Sequence, residues 1–264
     1  MNLHLDRHSA LITGSTAGIG FAIARGLAAE GARVVITGRT QAAVDAALAS
    51  LRESVPGAKA DGVAADCATA EGAQKVFARV PEVDILINNL GIYERKPFFD
   101  IPDTDWLRMF EVNVLSGVRF ARQYAPTMAK RGWGRVIFVS SESGLNIPPE
   151  MIHYGMSKTA QLSISRGLAI ELAGTGVTVN ALLPGPTRTE NTERLRAERA
   201  KVAGISVPEL EAEFFAKFRP TTLIKRFASA EEVANAAVYL CGEGASATSG
   251  AAIRVDGGVV NQIM

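Results

Sequence analysis

The sequence predicts an α/β protein in which a doubly wound parallel sheet is covered by helices on both faces. Short runs such as Val34, Val35 and Ile36, or Ile85, Leu86 and Ile87, are apolar at every position, as strands buried on both sides must be. Stretches of helical periodicity alternate with those runs. The 264 residues suffice for one large core, and no Pro/Ser-rich or charged linker divides them, so a single domain over 1–264 is expected.

In chain order, the apolar run ending at Ile12 is the first strand. It meets glycines at 14, 18 and 20, and Phe21, Ile23, Ala24, Leu27 and Ala28 follow at helical spacing as far as Gly31, a natural residue just beyond a helix. Residues 33–37 form strand two, 41–54 an Ala/Leu-rich helix, 63–65 the end of a third strand leading into Asp66 and Cys67, and 71–80 a third helix. Strand four, 84–87, stops at Asn88, Asn89, Leu90 and Gly91. A long helical region over 104–130 carries Asn113 in its middle, and strand five, 135–140, runs into Ser141. After Pro148 and Pro149 a helix spans 154–173, and strand six, 178–183, ends in Pro184, Gly185, Pro186 and Thr187. Residues 189–218 are charged and helical with sparse apolar positions, which suits a mobile lid better than a core element. Ser229 followed by Glu232 is a capping-box signature opening a helix to Leu240, and 253–255 is a last strand before Asp256, Gly257 and Gly258.

Composition excludes several functions. The 28 basic and 27 acidic residues are interspersed and leave a charge of +1, so no nucleic acid or anionic membrane partner is expected. No apolar run approaches the ~20 residues that span a bilayer. Charged residues among the first eight leave no room for a signal peptide, and Cys67 and Cys241 are too few for a disulfide framework or a metal site. A reducing cytoplasm is the expected compartment.

The chemistry collects at the carboxyl ends of the strands, which share one rim in such a sheet. Where Gly14, Gly18 and Gly20 link a strand to a helix, backbone N–H groups and the helix dipole make a site for phosphate. Gly14 suits the turn, Gly18 a close ligand approach and Gly20 tight helix–strand packing. Tyr154 and Lys158 are four apart and share a helix face. An ammonium beside a phenol should lower its pKa from ~10; a fall of about three units needs roughly 4 kcal/mol and would make Tyr154 a general acid/base near neutrality. Ser141 can hold a substrate oxygen, and Asn113 can anchor a water chain to the lysine. His153 reads as surface or substrate-lining, Glu142 as a solvated loop carboxylate or a contact to a cationic or hydroxylated substrate, and Asp66 equally as a helix-opening residue or a ligand to an adenine amino group.

As a set, these residues resemble the classical short-chain dehydrogenase/reductase family over essentially the whole chain. Residues 13–20 look like its cofactor loop, 88–91 like its Asn-Asn-Ala-Gly stretch with Leu90 replacing the usual alanine, and 180–185 and 256–258 like its strand-six and terminal signatures. Asn113, Ser141, Tyr154 and Lys158 fall at its tetrad spacing. The resemblance implies a Rossmann-like oxidoreductase that interconverts an alcohol and a carbonyl by hydride transfer. Tyr154 would move the proton, Lys158 would lower its pKa and hold the nicotinamide ribose, Ser141 would fix the substrate oxygen and Asn113 the relay water. It further implies cofactor contacts at Gly14, Ser15, Thr16, Gly18, Ile19, Gly20, Asp66, Cys67, Asn89, Gly91, Pro184, Gly185, Thr187 and Thr189, and a homotetramer, with a homodimer as the smaller option. Strand two ends in Gly38 and Arg39, where an acidic residue would bond a ribose 2′-OH; the missing carboxylate and adjacent guanidinium favour NADP(H) over NAD(H). A non-catalytic dinucleotide-binding regulator is the alternative; a methyltransferase would leave Tyr154 and Lys158 without a role.

Overall fold

A computed structural model describes residues 3–263. Seven parallel strands lie in the order β3-β2-β1-β4-β5-β6-β9: β1 (Ser9–Ile12), β2 (Arg33–Gly38), β3 (Ala60–Ala64), β4 (Ile85–Asn88), β5 (Gly134–Val139), β6 (Val177–Pro184) and β9 (Ala252–Val255). The order reverses between β1 and β4, where Ala10, Leu11 and Ile12 sit opposite Ile85, Leu86 and Ile87. A crevice therefore opens beyond their carboxyl ends.

Alternate residues of each strand enter two separate cores. Ala10, Ile12, Ile85, Ile87, Ile137 and Val139 face the first core, with α1 (Gly18–Ala29), α2 (Gln41–Ser54) and α9 (Ala230–Cys241). Leu11, Leu86, Val136 and Phe138 face the second, with α3 (Ala70–Arg79), α5 (Ser116–Arg131) and α6 (Ile152–Glu171). Phe77, Phe120 and Tyr124 pack edge-on in the second core, with Phe77 5.2 and 5.7 Å from the other two rings. Truncating a buried ring such as Phe120 costs about 3–5 kcal/mol.

The third strand ends at Ala64, within the expected 63–65; it is an edge strand of small residues in which Gly62 leaves room for Val44, and a Cβ on Gly62 would fall 2.2 Å from Val44 Cγ1. Two other segments differ from their sequence expectation. The expected single helix over 104–130 is α4 (Asp103–Phe110), a π-helical turn (Glu111–Leu115) and α5. The extra residue in that turn brings Asn113 and Val114 fully inward, and such bulges often occur at functional sites. Within 189–218, α7 (Glu190–Ala203) ends at left-handed Gly204 and α8 (Val207–Lys217) begins behind a Ser206–Glu209 capping box. β7 (Thr187–Arg188) and β8 (Ala228–Ser229), absent from the sequence reading, pair with each other at the two ends of this segment. Among the described residues, no helix is long and apolar enough to cross a membrane.

Candidate active site

The glycine loop is braced from behind. Ser15 Oγ donates to the Ile12 carbonyl at 2.7 Å and accepts the Thr37 N–H at 3.0 Å, while the Gly14 N–H donates to Thr37 Oγ1 at 3.0 Å. Asn89 Nδ2 donates to the Thr13 and Gly14 carbonyls, both at 2.9 Å, tying β4 to the loop. That amide occupies the space Gly20 leaves open, since a Cβ there would fall 2.4 Å from Asn89 Nδ2. Gly20 thus accommodates Asn89 as well as close helix packing, and Ser15, fully buried, is a strut whose hydroxyl does not reach a ligand.

Helix α1 starts at Gly18 with no side-chain cap, whereas Thr40, Thr69, Thr189, Ser206 and Ser229 cap α2, α3, α7, α8 and α9. The first N–H groups of a helix have no partner within it, so this uncapped end suits an anion. The Gly18 N–H already donates to Glu190 Oε2 at 3.0 Å, which places the start of α7 against the loop. A cavity of about 340 Å³ runs from here along the crevice past Ile19, Gly91, Lys158, Pro184, Gly185, Thr187 and Thr189. Gly185 is required by closeness to the chain end, because a Cβ would lie 2.5 Å from the Asp256 carbonyl.

At the adenosine end the predicted contacts separate. Arg39 is exposed at the end of β2, and Gly38 is closed to any larger residue by the Thr16 methyl, 2.4 Å from where its Cβ would stand. Asp66 is exposed, and its Oδ1 accepts the Ala68 N–H at 3.1 Å, as a helix-opening residue does. The Cys67 thiol points into the core beside Thr37 and burial pushes it up to about 11, so its side chain is packing rather than a ligand group.

Three of the four predicted tetrad residues, Ser141, Tyr154 and Lys158, line the same cavity, and Asn113 is buried behind its wall. Tyr154 and Ser141 are neighbours on that wall, and Ser141 Oγ accepts the Ser143 N–H at 3.1 Å. Burial pushes the phenol up to about 12, with Ser141 acting the other way. This reverses the expected fall. The cause is the phenol's own burial, to which the Glu142 charge adds. Lys158 is also lowered by burial, to about 7, so that it is only partly an ammonium near neutrality. Its Nζ lies 5.7 Å from the Tyr154 ring centre and donates to the Val139 carbonyl at 2.9 Å and to Gln161 Oε1 at 3.2 Å.

Asn113 is more heavily engaged than predicted. Its Oδ1 accepts the Ile92 N–H at 2.7 Å, and its Nδ2 donates to the Ile92 carbonyl and to Ser157 Oγ, both at 2.9 Å. Its main-chain carbonyl accepts Gln161 Nε2 at 2.6 Å. Gln161, buried one turn beyond Lys158, therefore joins lysine to asparagine directly. The sequence reading missed it; an amide at i+3 from Lys158 on an inward helix face is the signal that could have found it. A Cβ on Gly91 would stand 3.3 Å from Lys158 Nζ and 3.6 Å from Asn113 Oδ1, so both atoms face the same small space.

Two neighbours are corrected. Glu142 is not solvated: it is 3% exposed, and its Oε1 accepts Arg219 Nε at 2.9 Å and Ser143 Oγ at 3.1 Å. Burial raises its pKa, with the Arg219 charge opposing. His153 is fully buried against Trp106, ring centres 5.9 Å apart, and neither ring nitrogen has a hydrogen-bond partner among the described residues, so it is core and not substrate-lining.

Residues 8–200 match a family model described as short chain dehydrogenase. The chain is 46% identical over 263 residues to an uncharacterized oxidoreductase of Bacillus subtilis, YvaG, covering 100% of both. It is 35% identical over 257 residues to a D-beta-hydroxybutyrate dehydrogenase of Rhizobium meliloti, covering 95% of this chain and 97% of that one. Among solved structures it is similar to L-sorbose reductase from Gluconobacter frateurii, complexed with NADPH and L-sorbose, with TM-score 0.92, 33% identity and 100% of each chain covered.

Proposed function

As a member of the short chain dehydrogenase family, this chain is an NAD(P)-dependent oxidoreductase that interconverts an alcohol and a carbonyl, and we propose that Tyr154 moves the proton at the substrate oxygen. The observation that supports this role is the meeting of Tyr154, Ser141 and Lys158 on one cavity wall at the sheet's crevice. The residues present fit a dinucleotide: an α1 N-terminus whose N-cap residue offers no capping side chain, and glycines at 14, 18 and 91 where side chains would fill or crowd the cradle. When bound, the nicotinamide supplies or accepts the hydride.

Ser141 holds the substrate oxygen beside the Tyr154 hydroxyl, which donates its proton during reduction and takes one during oxidation. Lys158 sets how easily it does so. An ammonium 5.7 Å from the ring is worth about 3 kcal/mol to a phenolate at an effective dielectric near 20. Gln161 and the Val139 carbonyl hold that ammonium in place, and Asn113 anchors Gln161. Full-length relatives described as oxidoreductases leave the non-catalytic regulator without support.

NADP(H) is the proposed dinucleotide, because position 38 carries no carboxylate and the exposed Arg39 has no carboxylate partner among the described residues and can meet a 2′-phosphate. A homotetramer is proposed through α4, α5 and α6, whose exposed Leu107, Phe110 and Ile170 present apolar surface; sedimentation would test it. Tyr154→Phe should abolish NADPH-dependent carbonyl reduction while leaving dinucleotide affinity nearly intact. Substantial residual turnover would assign the proton to another group.

A further inference from the structure

A second cavity, of about 440 Å³, adjoins the catalytic one and shares Tyr93 and Thr192 with its wall. Tyr93 stands at the junction, its ring edge-on to Tyr154 with centres 6.3 Å apart. The wall under the lid is aromatic: Phe214 and Phe218 lie at the end of α8, and Phe227, just before β8, stacks on Phe214 at 5.1 Å. The volume is that of a drug-sized ligand site.

The cavity is lined by three carboxylates and three guanidiniums, but their pairing is uneven. Each carboxylate has a cation of the chain as partner: Glu94 meets Lys96 at 3.5 Å, a lysine it shares with Asp105, Glu211 meets Arg188 at 2.8 Å and Arg196 at 2.7 Å, and Glu213 meets Lys217 at 3.5 Å. Arg196 also pairs with Glu193 and lies over Phe227. Arg95 and Arg199 line the same cavity, and among the described residues neither has a carboxylate partner; the Arg95 guanidinium rests 5.3 Å above the Phe218 ring. An apolar chamber one residue from the reacting phenol thus carries two arginines free to meet an anion.

We propose that the cavity receives an amphipathic oxo acid: its ketone lies at Tyr154, its apolar body lies against Phe214, Phe218 and Phe227, and its carboxylate pairs with Arg95 and Arg199. The proposal rests on the reading of Tyr154 as proton donor and adds the substrate class. A polyhydroxylated ketone matches the wall less well, because Thr192 is committed to the α7 capping box and the carboxylates to ion pairs.

The test compares NADPH-dependent reduction of 6-acetyl-2-naphthoate and 2-acetylnaphthalene, which share ring system and ketone and differ in the carboxylate, with D-fructose as a polyhydroxylated ketone. KM for the naphthoate should be about tenfold below that for the neutral ketone, as one charge-assisted contact requires. The double variant Arg95→Gln, Arg199→Gln should bring the ratio of the two KM values near one, and about 0.5 M NaCl should do the same to the unmodified protein. Equal KM values for the two naphthyl ketones, a ratio unmoved in the double variant, a lower KM for fructose than for either, or turnover of none of the three would overturn the substrate class. Failure of the catalytic reading would look different: NADPH oxidation surviving in Tyr154→Phe.

Discussion

Replacing Gln161 by leucine tests the lysine's support separately from its presence. In the structure Lys158 Nζ has two acceptors, the Val139 carbonyl at 2.9 Å and Gln161 Oε1 at 3.2 Å, and burial lowers its pKa to about 7. A hydrogen bond to a charged group is worth about 1.5 kcal/mol, close to one pKa unit, so Gln161→Leu should lower Lys158 by about one further unit. Alcohol oxidation needs the tautomer in which Tyr154 has lost its proton and Lys158 keeps its own. Well below the lysine's pKa, the amount of that tautomer depends only on how readily the tyrosine ionises beside an ammonium, so variant and parent should agree. Above it, tyrosine and lysine compete for one proton, and a weaker lysine lowers the productive share about tenfold. With saturating NADP+ and alcohol, kcat against pH should therefore show a variant matching the parent near pH 5.5, levelling off about one unit earlier, and reaching a plateau about tenfold lower. A uniform loss at every pH, or only a lower Tm, would mean that Gln161 merely packs.

The remaining predictions address other parts of the site. Arg39→Ala should raise KM for NADPH at least about tenfold with little change for NADH, and equal effects on both would refute the NADP(H) preference. Glu190→Gln removes a carboxylate from the α1 N-terminus and should tighten NADP+ binding about threefold by calorimetry; unchanged or weaker binding would mean that this contact does not compete with phosphate. Lys158→Met should alter the pH dependence of stability. Between about 7 and the ordinary 10.5 the unfolded chain holds a proton on Lys158 that the folded chain lacks. The parent's unfolding free energy should accordingly rise relative to the variant by up to about 1.4 kcal/mol per pH unit in that window, the two running parallel outside it. Urea titrations at pH 6, 8 and 10 would show a constant difference if Lys158 carried its proton throughout.

The sheet and its rim were legible because each rests on local pattern. Fully apolar runs mark strands such as β4, and their ends place Asn89, Ser141 and Thr187 together by topology alone. What failed to show depends on contacts between distant segments. Glu142 reads as solvated until Arg219, 77 residues on, is seen to bury it. Ser15 reads as a ligand residue until Thr37 claims its hydroxyl. The phenol's pKa moved opposite to expectation because an i+4 spacing fixes which residues are neighbours and says nothing of how far burial disfavours the phenolate. The π-helical turn at Asn113 was invisible for a similar reason: an inserted residue changes the helix phase without altering its composition.

Both ends of the 189–218 segment are anchored to the rim, and the two anchors differ in strength. At its start, Glu190 meets the Gly18 N–H in an exposed contact, of a kind worth about 0.5–1.5 kcal/mol and weakened where water competes. At its end, Arg219 meets Glu142 in a pair with side chains 10% and 4% exposed, and separating such a pair strands a buried charge at a cost of about 3–5 kcal/mol. Releasing the Glu190 contact, against the glycine loop, therefore costs less than separating Arg219 from Glu142, one residue from Ser141.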